Sequence, residues 1–334
     1  MRRSELPPHK SATYVLPRWK VVYVSVPKAA CTSIKWLIAE LQDENPARFH
    51  AALTREVARA MTIHRRRSWQ HTPMLHKLAD EELAAIEPEQ GWFVFAVIRH
   101  PTARLWSAWQ SKFLLREAKY VERFCDAPWL ARLPRTTQDV VEDFQLFVRS
   151  IGDDPEQSVM RDRHFLPQSR LLTPDRTPYT KIYETREIPQ LLRDLDAHVR
   201  DHGWRRPLEL AASNETPLRP LAAMFTQDVT AAIRDVYSED FERFSYDRVE
   251  PDGLDPAGGY DESALRAVVR LAERAERIGD LALRGQRLLV ANKGYRREID
   301  ELRRRVDQLG GRSGRRDGVA RKVRRRMFRT LTRA

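Results

Sequence analysis

Two stretches of the chain share one pattern: an unbroken apolar, β-branched run, a polar turn, then apolar residues at helical spacing. Residues 21–26 (VVYVSV) stop at Pro27, and beyond the turn Ile34, Leu37, Ile38 and Leu41 fall on one face of a helix starting near Thr32. Residues 92–98 (WFVFAVI) stop at Arg99. Pro101 then opens a helix in which Leu105, Trp106, Trp109 and Phe113 form an apolar stripe. A third strand is predicted over 179–183, followed by a helix over 188–199 and an amphipathic helix over 222–246. Strands separated by helices predict an α/β domain with a mostly parallel sheet.

The rest divides by composition. Residues 1–19 read as an extended lead-in, because Pro7, Pro8 and Pro17 work against helix. Residues 45–90 read as helical and polar in patches, with His64, His71 and His76 spread through them. Residues 120–175 read as mixed and loop-rich. The α/β domain is expected over 20–248, closed by a linker over 249–260 that contains PDGLDPAGG. In 261–309, Leu281, Leu288, Tyr295, Leu302 and Leu309 recur every seven residues, and Leu271, Ile278, Asn292, Ile299 and Val306 form a second row that Gly285 interrupts. Such rows predict either a short coiled coil joining copies of the chain, with Asn292 fixing register, or an amphipathic helix folded back on the main domain.

Charge sharpens this division. Residues 312–334 carry ten Lys/Arg and one Asp, a net +9 of the chain's +12, leaving about +3 elsewhere. The basic tail of 310–334 is therefore expected to lie on an anionic membrane surface, to touch nucleic acid or to be merely solvated. A near-neutral body argues against nucleic acid as a partner. Two cysteines, Cys31 and Cys125, give no disulfide framework. No run reaches the roughly 18 apolar residues of a spanning helix, so the expectation is a cytoplasmic protein, peripheral at a membrane at most.

Both turns carry the chemistry of phosphate binding. In the first (PKAACTSIK), Lys28, Ala29, Ala30, Cys31, Thr32 and Ser33 lead from a strand into a helix N-terminus, whose N–H groups favour anions. It has none of the glycines of a Walker A loop, which weighs against an ATP-dependent, P-loop-like kinase. Cys31 is either a thiol activated by the helix N-terminus or a small packing residue. The phosphatase pattern that would favour the former needs an arginine six positions on, where Leu37 stands. In the second (RHPTARLWSAW), Arg99 ends the strand and Ser107 follows two turns into the helix. Arg104 either assists or is a solvated helix residue.

Together the two segments resemble the cofactor signatures of sulfotransferases that use 3′-phosphoadenylyl sulfate. PKAACTSIK is similar to the loop for the 5′-phosphosulfate. RHPTARLWSAW is similar to R-D-P-x-x-R-x-x-S-x-[YFW], the segment for the 3′-phosphate, with His100 in place of an acidic residue. HFLPQ (164–168) resembles H-W-x-P-Q, and YSEDFERFSY (237–246) resembles Y-x-x-D-F-x-x-F-x-Y, both of the carbohydrate branch, the HNK-1 and chondroitin type of sulfotransferase family 2.

The resemblance covers roughly residues 20–248. It implies a three-layer, P-loop-like domain that moves a sulfuryl group in line onto a hydroxyl of a glycan or glycolipid, without a metal. Lys28 would neutralise the leaving oxygen. Thr32, Ser33 and the loop amides would orient the 5′-phosphate, and Arg99 and Ser107 would anchor the 3′-phosphate. Histidine is the usual base near neutral pH. His71, in the loop before the second strand, is the first candidate. His164 is the second, either as base or as a contact to the acceptor. Glu184 holds a family-like position. A basic nucleic-acid- or membrane-binding module is the remaining alternative.

Overall fold

The computed structural model describes residues 1–9, 12–50, 61–210, 217–255 and 257–310, so the basic tail of 312–334 lies outside the described residues. Four strands form one sheet in the order β1 (Thr13–Leu16), β2 (Val21–Val24), β3 (Phe93–Ile98) and β4 (Lys181–Glu184). β2, β3 and β4 are parallel, with Val21 opposite Phe93 and Phe95 opposite Lys181. β1 runs antiparallel to β2, Thr13 opposite Val24. Every residue of β2 and β3 is buried, as their unbroken apolar runs require. The fold is the expected α/β class. The lead-in is more than an extended arm, since it supplies the edge strand β1.

Ten helices accompany the strands among the described residues: α1 (Cys31–Leu41), α2 (Asp80–Ala84), α3 (Pro101–Trp109), α4 (Ala118–Phe124), α5 (Thr137–Asp153), α6 (Gln168–Leu172), α7 (Ile188–Asp201), α8 (Gln227–Val236), α9 (Ser238–Arg243) and α10 (Glu262–Gly310). Two differences from the sequence expectation have plain causes. The loop-rich stretch contains α5, 17 residues long, opened by Thr136 and Asp139, each of which bonds the other's backbone N–H. Its Phe144 and Phe147 pack against Trp106, Trp109 and Phe113. The helix expected over 222–246 breaks at Tyr237, whose hydroxyl donates to the Phe165 carbonyl at 2.7 Å. Between 61 and 90 the chain forms short 3₁₀ turns and only the five-residue α2.

Two apolar cores result, one around the sheet with α1 and α7, the other joining α3, α5 and α8. α5 crosses α8 closely at Gly152, where a Cβ would come within 2.8 Å of the Ala232 Cβ. The first compact unit, Met1–Ala275, takes in the 249–260 segment and the first turns of α10, whose Leu265 and Val268 join the second core. The second unit, Glu276–Ala334, is described only as the remainder of α10. Among the described residues, no helix is long and apolar enough to cross a membrane.

Candidate active site

β2 delivers the chain to a loop whose backbone turns twice through the left-handed region, at Lys28 (φ 70°) and Ala30 (φ 52°). Non-glycine residues seldom adopt such angles, and they cluster at functional sites. Ala30 is the N-cap of α1 and offers no side-chain cap. Ala29, Cys31, Thr32 and Ser33 are buried around the turn. Cys31 is a free thiol there.

Lys28 Nζ donates to Ser111 Oγ at 3.0 Å. Arg99 Nη1 reaches the Lys28 carbonyl at 3.4 Å, so the two phosphate segments predicted from sequence meet. Burial lowers Lys28 to about 8, with Lys112 and Arg99 adding to the effect. Burial also lowers Arg99. Among the described residues, no carboxylate forms an ion pair with either cation. Half-buried positive charge with no carboxylate pair among the described residues fits an anionic ligand.

α3 continues into a π-helical turn, Gln110–Leu114, which carries Ser111 and the buried Lys112. Lys112 Nζ pairs with Glu117 at 2.5 Å. Ser107 is buried on α3. Arg104 is neither a solvated helix residue nor a ligand-facing one. It is fully buried and donates to the carbonyls of Pro27, Leu166 and Arg163, at 3.1, 2.8 and 2.8 Å, tying the first loop to the 163–166 segment.

The segments HFLPQ and YSEDFERFSY act on Arg99 from behind. Gln168 Oε1 accepts from the Arg99 N–H (2.9 Å) and Gln168 Nε2 donates to the Arg99 carbonyl (2.8 Å), so one amide clamps that residue's backbone. Asp240, fully buried, accepts in turn from the N–H groups of Gln168 and Ser169 at 2.8 and 2.7 Å. His100 bonds the Arg248 carbonyl and packs edge-on against Tyr246 and Phe241. Its ring thus serves the C-terminal end of the domain, and a histidine suits that place better than a carboxylate.

Three histidines matter. The side chain of His71 is exposed and forms no hydrogen bond among the described residues. Its backbone is held by Glu44 and Gln42. His164 Nδ1 lies 2.7 Å from Asp162 Oδ1 and 3.0 Å from the Tyr120 hydroxyl, which itself donates to Asp162 Oδ2 at 3.0 Å. Burial pushes His164 down to about 4; the Asp162 hydrogen bond opposes this, while Lys112 and Lys28 reinforce it. Burial works against the Asp162 charge, yet the bonds from the His164 ring and backbone N–H outweigh it and hold the carboxyl below its usual range. His164 is therefore neutral at pH 7, with its proton on Nδ1 and its Nε2 lone pair available.

His64 was not singled out by sequence reasoning. It arrives on the 3₁₀ turn Met61–His64, with Nε2 3.0 Å from Thr32 Oγ1 and Nδ1 3.0 Å from Lys35 Nζ. Burial lowers it to about 3, helped by the charges of Lys35, His164, Lys112 and Lys28. Since an ammonium only donates, Nδ1 accepts, and the neutral ring donates from Nε2 to Thr32. Lys112, Ser111, Tyr120 and Asp162 were also missed. Only Asp162, two residues before His164, left a local signal. Glu184, at the end of β4, pairs with Arg186 at 2.9 Å.

Among the described residues, no group of three or more His, Cys, Asp or Glu is arranged to hold a metal ion. No curated protein and no solved structure matches the chain. The sequence model of the sulfotransferase family matches residues 11–247, from just before β1 to just past α9. Since that match spans well over half of the chain and takes in the turns after β2 and β3, the chain belongs to the sulfotransferase family.

Proposed function

We propose that this enzyme transfers a sulfuryl group from 3′-phosphoadenylyl sulfate to a hydroxyl of a carbohydrate, on a glycan or a glycolipid. One observation carries the proposal: Lys28 and Arg99, half-buried and without carboxylate partners among the described residues, meet at the ends of adjacent parallel strands, with Lys28 in electrostatic reach of an Asp162-held histidine. Ligands of open α/β sheets bind at such strand ends.

The donor supplies the activated sulfuryl group on its 5′-phosphate. The turn from Lys28 to Ser33 cradles that phosphate with the first N–H groups of α1 and the hydroxyls of Thr32 and Ser33. Arg99, its backbone clamped by Gln168, and Ser107 take the 3′-phosphate. His164 Nε2 accepts the proton of the attacking hydroxyl as the new sulfur–oxygen bond forms. Lys28 neutralises the charge left on the phosphate oxygen as the old bond breaks. Asp162 fixes the tautomer that makes Nε2 the acceptor, a positioning role. His71, its side chain exposed and without a hydrogen bond among the described residues, takes no part.

A sugar hydroxyl is favoured as acceptor by HFLPQ and YSEDFERFSY, the two segments that resemble the carbohydrate branch, and these segments also build the support behind Arg99. Two cysteines without a disulfide, one buried and one exposed, suit a reducing compartment, in keeping with a cytoplasmic location. A screen of glycans, glycolipids, peptides and small alcohols with the donor, read by mass for one added sulfuryl group, tests the proposal. Modification of a saccharide, abolished in His164→Ala, supports it. Modification of peptides or simple alcohols alone would refute the carbohydrate assignment.

A further inference from the structure

The second unit has no place in this chemistry, and its apolar side chains are exposed. Ile278, Leu288 and Val306 are 67, 71 and 63% accessible, and Leu281, Tyr295, Ile299 and Leu302 also lie open. All fall in two interleaved rows, Ile278, Gly285, Asn292, Ile299 and Val306 in one and Leu281, Leu288, Tyr295 and Leu302 in the other, on one continuous helix. In heptad terms these are the a and d positions.

We propose that residues 278–309 of α10 pair with the same residues of a second copy of this chain as a parallel, in-register, two-stranded coiled coil. Three observations choose this occupant and this geometry. First, wherever the a row is apolar it is β-branched (Ile278, Ile299, Val306), and the d row is mainly leucine (Leu281, Leu288, Leu302), the combination that favours two parallel strands over three or four. Second, in-register pairing sets Asn292 opposite Asn292 of the second copy, where the two amides satisfy each other. Antiparallel pairing with the layers kept in step would set it opposite Tyr295.

Third, the flanking charges discriminate. In the parallel arrangement Glu298 (g) meets Arg303 (e) of the second copy, twice by symmetry, and no g–e pair joins like charges. In the antiparallel arrangement Arg284 meets Arg305 of the second copy, also twice, with no attraction to offset it. The seam has one gap. A Cβ at Gly285 would touch nothing within 4 Å. Val290, at f, lies off the seam, and the pairing does not cover it.

The test uses the full chain. Light scattering should give twice the chain mass, falling to one chain in Leu288→Arg. In a Cys125→Ser background, which removes the exposed thiol, Leu302→Cys should form a disulfide with itself under mild oxidation. Gly285→Leu should tighten dissociation about tenfold or more relative to Gly285→Ala, because only leucine fills the seam, whereas both substitutions raise helix propensity. Asn292→Ile should tighten association while admitting three-chain species. A monomer at every concentration, a three-chain mass for the unmodified protein, or cross-linking of Leu302→Cys to Gly285→Cys in preference to itself would overturn the proposal.

Discussion

Replacing Asp162 by asparagine changes one atom of the residue that positions the proposed base, His164, and leaves its shape. In the native site the Asp162 carboxylate accepts from His164 Nδ1 at 2.7 Å, from the His164 backbone N–H at 2.9 Å and from the Tyr120 hydroxyl at 3.0 Å. Both His164 bonds fall on Oδ1, so an amide whose oxygen stays there keeps the ring tautomer, and its NH₂ takes the place of Oδ2 beside the Tyr120 hydroxyl. What is lost is the negative charge that stabilises the protonated ring formed when Nε2 takes the proton of an attacking hydroxyl. Removing the carboxylate also removes the interaction that opposes the lowering of the His164 pKa, so raising the pH restores nothing. General base catalysis contributes about 10²–10⁴ in rate, or about 3–5 kcal/mol of barrier. Asp162→Asn should therefore lower kcat by about 10²-fold, the low end of that range, while leaving donor affinity nearly unchanged, because the amide neither touches the phosphate segments nor empties the site. Single-turnover kinetics for the chemical step, with titration of adenosine 3′,5′-bisphosphate for affinity, separates the two. Retained kcat, or a loss confined to donor affinity, would refute the role given to the Asp162–His164 pair.

Other consequences follow from the same geometry. With His164 at about 4 and Lys28 at about 8, kcat/KM for the donor should show no acid limb near the ordinary histidine pKa of 6.5 and should fall above about pH 8 as Lys28 loses its proton; a pH profile of initial rates checks both limbs. His64 and His164 bind protons more weakly when folded than when unfolded, so their contribution to stability, complete above pH 6.5, should drain away as pH falls toward 4 and 3. Denaturant unfolding at several pH values should show this slope, and His64→Gln should flatten it. Asp240→Ala leaves two buried N–H groups, of Gln168 and Ser169, without acceptors and should cost about 2–5 kcal/mol in chemical denaturation.

What the sequence revealed follows the range of the interactions. The strands of the parallel sheet and the turns that follow β2 and β3 were legible because each is a local pattern, an apolar run followed by a polar turn. The heptad rows of α10 were legible for the same reason. β1 was not, because Thr13–Leu16 is four residues between prolines and becomes a strand only by pairing with β2. α5 left signals that composition hid: a cap at Thr136–Asp139, and Val140, Phe144, Phe147 and Ile151 at helical spacing. His64 left none, since its place beside Thr32 and Lys35 depends on how a 3₁₀ turn docks on α1. His71 attracted attention by position in the chain, which says nothing about where a side chain ends up. Arg104 shows the reverse problem: a cation within a segment that reads as phosphate-binding, which serves the fold by binding three carbonyls.

The measurement closest to the central claim sets two transfers side by side on the purified chain: labelled sulfuryl from 3′-phosphoadenylyl sulfate and labelled phosphoryl from ATP, each with a saccharide acceptor, in the unmodified protein and in Lys28→Ala and Arg99→Ala. The account predicts that sulfuryl alone moves, and that each substitution suppresses the transfer, Arg99→Ala chiefly by weakening donor binding. Phosphoryl transfer from ATP, or sulfuryl transfer that survives both substitutions undiminished, would contradict it.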